Sequence, residues 1–166
     1  MRILVATFAM FAVLTAAAAC AQDELEPPRA DDAHLIETCL NALGDASPAQ
    51  RSTCIRAVSG PCINGPGGDP GRIGMVLCSQ REDRVWLAII ANSAAALRAR
   101  ERATQTALLD QLLIESENWR RAKCDYAGSR YEGGSLAGLT AEGCSMRVHA
   151  ELAIYLYGRN WEYDHR

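Results

Sequence analysis

The number of cysteines constrains the fold of this chain more than any other feature of its 166 residues. Seven are present, and the first, Cys20, follows an apolar and small-residue run from Ile3 to Ala19 that has the layout of a secretory signal peptide. Cleavage after Ala21 by the small-x-small rule discards Cys20, whereas lipoprotein processing leaves it as a lipidated N-terminus. Either route leaves six cysteines, and an even number in an exported chain of this size predicts three disulfides.

Two other interpretations of these features are weaker. A retained membrane anchor is possible, but the apolar run ends in alanines and no positively charged stop follows it. A zinc site is also possible, but no two cysteines have the C-x-x-C spacing that presents two thiolates from one turn. We therefore expect neither a transmembrane helix in the mature form nor a bound metal, and no motif implies a cofactor.

Charge excludes one class of partner. Removal of residues 1–21 takes away one arginine and no acid, so the mature chain has 16 basic and 20 acidic side chains, a net charge of 16 − 20 = −4. Nucleic acid is a poor partner for such a chain. About 145 mature residues suit one small domain.

The N-terminal part of the mature chain has the pattern of a helical hairpin. Asp31 or Asp32 can cap a first helix, which Gly44 ends. Ser47-Pro48 is typical of the start of a second short helix, which we expect to stop at Gly60-Pro61. A short loop joins the two helices, so Cys39 and Cys54 can pair across the hairpin.

Two long helices are predicted after the glycine-rich segment 60–71. The first runs from about Gly74 to Arg100, with Trp86 on its apolar face and with Arg81 and Glu82 largely outside that face. Cys78, in its first turns, lies within reach of Cys62. The second helix runs from about Thr104 to Cys124, and its inner stripe includes Leu108, Leu112 and Trp119.

A last helix is predicted from Thr140 to Gly158, and no strand pattern of useful length appears. The fold class is therefore all-α, a small disulfide-stapled helical bundle with an N-terminal helical hairpin. The predicted organisation is a signal peptide at 1–21, a flexible tether at 22–30, the hairpin at 31–60, a helical domain at 61–158 and a polar tail at 159–166.

The segment between Cys124 and Cys144 is rich in glycine, and we expect it to be an irregular loop closed by a disulfide. Such a bridge removes roughly 3 kcal/mol of denatured-state freedom. Its glycines can simply let a long connection turn back. Alternatively, the loop at 126–138 is a pre-organised binding surface that presents hydroxyls, a guanidinium, an aromatic ring and a carboxylate. The candidate partner-binding residues are Ser129, Arg130, Tyr131, Glu132 and Ser135.

Other candidates for chemistry have simpler explanations. His149 has no partner acid that the sequence identifies, so it is interpreted as a packed or surface histidine. Trp86 and Trp119 are interpreted as core residues because they lie on apolar stripes. Arg120, Arg121 and Lys123 are explained by the dipole at a helix C-terminus. No catalytic residue is assigned, since hydrolase motifs are absent and the cysteines are expected to pair.

Three segments resemble one family of secreted bacterial proteins. They are CSQREDRVW at Cys78–Trp86, WRRAKCDY at Trp119–Tyr126 and YEGGSLAGLTAEGC at Tyr131–Cys144. This order is similar to the lysozyme inhibitor LprI-like N-terminal domain, and the similarity covers roughly Cys62 to Leu156. Residues expected from the family, several of them polar, are replaced in this chain at Leu87, Leu113, Ser116, Arg121, His149 and Leu152.

The resemblance implies an exported, helical, non-enzymatic domain in the periplasm or outside the cell, with lysozyme as a possible protein partner. Lysozyme is a basic enzyme with an acidic cleft, so Arg130 and Tyr131 could enter that cleft beside its carboxylates. The alternative is an envelope structural or stress-related protein with another partner. An enzyme acting on cell-wall material is a third class, for which Glu132 and Glu142 would have to face each other across a groove.

Overall fold

The computed structural model describes residues 28–165, and all regular structure within that range is helical. The predicted all-α fold is therefore confirmed. The helices are α1 (Ala30–Leu43), α2 (Pro48–Arg51), α3 (Ser59–Asn64), α4 (Arg72–Arg100), α5 (Ala103–Ser129) and α6 (Ser135–Asp164), with a 3₁₀ turn at Ser52–Cys54. The predicted signal peptide at 1–21, with Cys20, and residues 22–27 of the predicted tether lie outside the described residues.

Helix α6 is the centre of the bundle. It packs along α4 on one side and along α5 on the other, whereas α4 and α5 have little contact with each other. The main core lies between α1, α4 and α6, where Ile36, Leu40 and Trp86 are fully buried. A smaller apolar cluster joins Leu97, Leu109 and Leu156 near the α4–α5 connection.

The N-terminal hairpin forms, but its second arm differs from the prediction. Gly44 ends α1 with a φ of +51°, and the Cys39–Cys54 disulfide links α1 to the 3₁₀ turn. The second helix is only four residues long, and Gly60-Pro61 lies inside α3 instead of ending a helix. Proline is tolerated there because the first turn of a helix has no internal partner for its N–H groups.

The other two predicted disulfides are also present. Cys62–Cys78 joins α3 to the start of α4, and Cys124–Cys144 joins α5 to α6. Three disulfides in a chain of this size indicate folding in an oxidising compartment. Within residues 28–165, no helix combines the length and apolarity that crossing a membrane requires.

Glu82 is fully buried, so its predicted position outside the apolar face of α4 is wrong. Its carboxylate accepts hydrogen bonds from the backbone N–H groups of Arg56, Val58 and Ser59 at 2.6, 3.1 and 2.7 Å, and from the indole of Trp86 at 2.9 Å. Four donors compensate the cost of burying this charge. The bond to Arg56 also holds that residue at a φ of +79°, which side chains other than glycine rarely adopt.

Arg81 is likewise buried, and its partner is Asp32 on α1. The guanidinium donates from Nε and Nη2 to the two carboxylate oxygens at 2.6 and 2.5 Å. Burial alone would raise the pKa of Asp32, but hydrogen bonds from the Arg81 side chain and the Arg29 backbone outweigh it and hold the pKa below its ordinary value. Asp32 thus anchors α1 on α4, and it also accepts the backbone N–H of Arg29 at the start of α1.

The predicted polar tail at 159–166 is wrong as far as the structure describes it. Helix α6 continues through Gly158 to Asp164, and Trp161 lies partly buried against Gly44. A glycine inside a helix usually weakens it. Here a Cβ at Gly158 would come within 2.7 Å of Nη1 of Arg51, so the glycine admits a buried arginine.

We expect Glu82→Gln to lower the free energy of unfolding by about 2–4 kcal/mol, because the amide NH₂ would face N–H donors in a buried site. Urea unfolding followed by circular dichroism measures the change. Glu115→Gln is the matched control, since Glu115 is exposed on α5, and it should change the value by less than about 0.5 kcal/mol. Equal effects of the two variants would contradict the role assigned to Glu82.

Candidate functional site

The glycine-rich segment between Cys124 and Cys144 is mostly helical, so the prediction of a long irregular loop is wrong. Helix α5 extends to Ser129 and α6 begins at Ser135, which leaves a turn at residues 130–134. Gly128 is buried where the helices approach, and a Cβ there would lie 3.1 Å from the carbonyl oxygen of Ala137. This glycine therefore permits close helix packing.

The turn at 130–134, which we call the tip, has a defined backbone. Glu132 and Gly133 have φ values of +47° and +75°, and the N–H groups of Tyr131 and Glu132 donate to the carbonyls of Gly128 and Ser129 at 3.1 and 3.0 Å. These bonds satisfy carbonyls at the end of α5 that the helix leaves without partners. The Ser129 hydroxyl donates to the carbonyl of Tyr126 at 2.7 Å.

The Cys124–Cys144 disulfide links α5 to α6 close to the tip. Its Cα atoms are 5.4 Å apart, and Cys124 is buried between α5 and α6. The bridge lies five residues before the end of α5, so it fixes the spacing of the two helices close to the turn. A crosslink of this span stabilises the folded state by roughly 3 kcal/mol.

The structure brings the five predicted partner-binding residues together at one end of the bundle. Ser129, Arg130, Glu132 and Ser135 are exposed, and Tyr131 is half-buried. The guanidinium carbon of Arg130 lies 5.3 Å from the centroid of the Tyr131 ring, within the range of a cation–π contact. Among residues 28–165, Arg130 forms no ion pair. Tyr126 (82% exposed) and Leu136 (47% exposed) add apolar surface on either side.

A polar cluster that the sequence analysis missed fastens α5 to the rest of the bundle. The imidazole of His149 lies between two carboxylates, with Nδ1 2.7 Å from Asp83 on α4 and Nε2 3.5 Å from Glu117 on α5. Arg120 donates to Glu117 at 2.8 and 2.5 Å and to the Ser145 hydroxyl at 3.0 Å. His149 therefore has two partner acids, and Arg120 has a role beyond the helix dipole.

Part of this cluster can be predicted from the spacing of residues along α5. Arg120 lies four residues before the buried Cys124, and Glu117 three residues before Arg120, so all three occupy the inner side of α5. The acid on α4 is 66 residues from His149 and has no local signature. Only the packing of α6 between α4 and α5 brings these groups together.

A stripe of exposed side chains runs along α5, so the interpretation of Trp119 as core is wrong. Trp119 is 62% exposed, and Leu108 and Leu112 are 66% and 36% exposed. With Tyr126 they form what we call the α5 stripe. Its positions continue through Glu115 and Ala122 at alternating spacings of four and three residues: Leu108, Leu112, Glu115, Trp119, Ala122 and Tyr126. Such spacing is typical of a helix-pairing seam.

The described residues offer little that resembles a catalytic or metal centre. Glu132 lies in the tip and Glu142 within α6, so the two carboxylates belong to one continuous segment and do not face each other across a groove. Within residues 28–165, no group of three or more histidine, cysteine or acidic side chains is arranged to hold a metal ion.

Comparisons with known proteins add no relative. No family model matches the chain, and no match is found among the curated proteins or the solved structures.

The Glu117–Arg120 pair predicts a pH dependence of stability. Hydrogen bonding from Arg120 lowers the pKa of Glu117 from 4.5 to about 2. Because the folded-state pKa is depressed, the stabilisation is complete above about pH 4.5 and is lost as the pH falls towards 2. Glu117→Gln should therefore reduce the slope of unfolding free energy against pH between 4.5 and 2.

Urea unfolding at half-unit pH steps between 2 and 6 measures that slope. Glu115→Gln is the control, since it removes an exposed carboxylate from the same helix, and it should retain the slope of the unmodified protein. A Glu117→Gln protein with an unchanged slope would show that the pair does not contribute.

Proposed function

We propose that this protein is an exported, non-enzymatic binding domain that inhibits lysozyme by inserting its tip into the acidic cleft of that enzyme. The observation that carries the proposal is that the charge of Arg130 is exposed and unpaired among the described residues. The side chain lies over an aromatic ring and has no acidic partner within residues 28–165. A guanidinium of this kind can bind a carboxylate of another protein without first breaking an ion pair.

Rigidity of the tip supports the proposal. Two helices, a disulfide and backbone hydrogen bonds hold the turn, so little conformational freedom remains to be lost on binding. A projecting turn between two helices also suits insertion into a cleft better than a flat helix face does. Tyr131 and Tyr126 supply aromatic contact area beside the charge, and Tyr and Arg are enriched at the energetic centres of interfaces.

Charge supports lysozyme as the partner in two ways. The mature chain carries a net charge of −4, which favours encounter with a basic protein. The tip carries one cation, Arg130, and one anion, Glu132, so it is less acidic than the chain as a whole. Its exposed guanidinium suits the paired carboxylates of a glycosidase cleft. The resemblance of residues 62–156 to the lysozyme inhibitor LprI-like domain supports the same partner, and the segment Tyr131–Cys144 that contributes to the resemblance begins in this turn.

We expect Arg130→Glu to weaken inhibition of lysozyme at least tenfold, because it removes the guanidinium and adds a second carboxylate beside Glu132, which the acidic cleft would repel. The rate of peptidoglycan lysis at increasing inhibitor concentration measures the effect. Arg147→Glu is the matched control, since Arg147 is an exposed arginine of α6 that lies away from the tip. Circular dichroism and urea unfolding should show that both variants remain folded.

Two results would contradict the proposal. The first is unchanged lysozyme activity at a large excess of the disulfide-intact protein. The second is equal weakening by Arg130→Glu and Arg147→Glu, which would assign any inhibition to overall charge and not to the tip.

A second candidate function is favoured by the α5 stripe. This exposed seam extends over 19 residues, about 27 Å of helix, which is longer than insertion of the tip requires. We propose as the alternative that the protein is an envelope structural component whose α5 pairs with a helix of another envelope protein. In that case the protein has no effect on lysozyme.

Site-specific photocrosslinking separates the two functions. A photoreactive residue in place of Trp119 should give one discrete adduct in the native envelope if α5 is the interface. The same residue in place of Ser135, which is exposed beside the tip and leaves Arg130 intact, should give an adduct with lysozyme if the tip is the interface. Position 88, an exposed alanine on α4, is the control and should give neither. Absence of an adduct at Trp119 would contradict the alternative function.

A further inference from the structure

Arg51 is a buried guanidinium at the end of the bundle opposite the tip. The residue is 4% exposed and lies between the α1–α2 connection and the last turns of α6. Its Nη2 donates to the carbonyl of Gly44 at 2.5 Å, and its Cζ lies 5.6 Å from the centroid of the Tyr157 ring. Gly158 gives it room, since a Cβ there would lie 2.7 Å from Nη1.

The charge of Arg51 has no anionic partner among the described residues. No carboxylate of residues 28–165 forms an ion pair with it, and its buried Nε has no hydrogen-bond acceptor. A guanidinium remains charged at any pH at which proteins fold. A buried cation without a counter-charge is destabilising, and the cation–π contact with Tyr157 offsets only a part of that cost. Nε is shielded from solvent and Nη2 is bound to Gly44, so the nitrogen that remains for an anion is Nη1, which donates no hydrogen bond among the described residues.

Arg51 also lines an open cavity of about 290 Å³. Pro48, Tyr155 and Trp161 contribute apolar and aromatic lining, and Asp45 and Glu162 add carboxylates that are exposed. This volume is at the lower end for ligand sites, which suits a small molecule. Glu162 is paired with Arg159 at 2.7 Å, so Asp45 is the lining carboxylate that opposes a bound anion. It repels an anion with one charge less than a doubly charged phosphate, so a carboxylate suits the guanidinium of Arg51 better.

We propose that this cavity binds a small monocarboxylate that carries an apolar group, with the carboxylate on Arg51 and the apolar group against Trp161. Either a free organic acid or the C-terminal residue of a peptide has this chemistry. The site is independent of the tip, because about 45 Å of α6 separates the two ends of that helix.

Titration of the folded, disulfide-intact protein at constant ionic strength tests the proposal. Benzoate represents a free acid and N-acetyl-leucine represents a peptide C-terminus, and their neutral controls are benzamide and N-acetyl-leucinamide. The NMR resonance of the Trp161 indole N–H reports occupancy. We expect saturable shifts with at least one acid, at concentrations at least tenfold lower than with its amide. The acid that binds more tightly identifies the source of the ligand.

Variants test the residues. Arg51→Lys keeps the charge but removes the planar fork, and it should weaken binding of the acid at least tenfold. Arg159→Lys is the matched control, because Arg159 lines the same cavity but is already paired with Glu162 and Glu101. It should change binding of the acid less than threefold.

Trp161→Leu tests the apolar contact and should weaken binding of benzoate, with the Tyr155 ring resonances as the readout. This test remains valid even if the Arg51 variant does not fold.

Equal affinity for acids and amides in the unmodified protein would overturn the proposal, since that comparison needs no variant. The same conclusion follows if neither acid shifts the Trp161 resonance at 50-fold the concentration of protein and up to the solubility limit. Arg51 would then be a purely structural residue that binds the carbonyl at the end of α1.

Discussion

The buried carboxylate of Glu82 is the interaction on which the arrangement of this protein depends. Four donors converge on it, three of them backbone N–H groups from the irregular connection at 55–58 and the first residue of α3. That segment has no strand or long helix in which to satisfy its own polar groups, so α4 supplies the acceptor. The nearby pair of Arg81 and Asp32 adds a second link to α1. Apolar contacts fill the space between the N-terminal third and α4, and these two charged residues fix their relative position.

Much of the fold could be predicted from periodicity and cysteine count, including the helix class, the boundaries of α4 and all three disulfides. The buried charges could not. Glu82 lies four residues from both Cys78 and Trp86, so spacing alone places it on the inner face, but an acid is stable there only with donors that come from more than 20 residues away. The predictions that glycines would form a loop near Gly128 and end a helix at Gly158 were wrong for a related reason. Gly128 and Gly158 lie inside helices because of what packs against them, Ala137 and Arg51, and only the tertiary structure reveals those neighbours.

The two proposed sites use the central helix in different ways. At its start, α6 is joined by a disulfide to α5 and supports a projecting turn with an exposed cation. In its last turns, α6 forms one wall of the open cavity that Arg51 lines. Between them, His149 connects α6 to both neighbouring helices through Asp83 and Glu117. The long helix therefore separates a surface suited to a large partner from a cavity suited to a small one, and a ligand at either end leaves the other accessible.

The three disulfides share a pattern of connectivity. Each joins cysteines that follow one another along the described chain, first with second, third with fourth and fifth with sixth, at separations of 15, 16 and 20 residues. An oxidase that pairs cysteines in their order along the chain therefore produces the native bonds directly. No isomerase is then required to rearrange mispaired bridges, and each bridge can close without waiting for the cysteines that follow it.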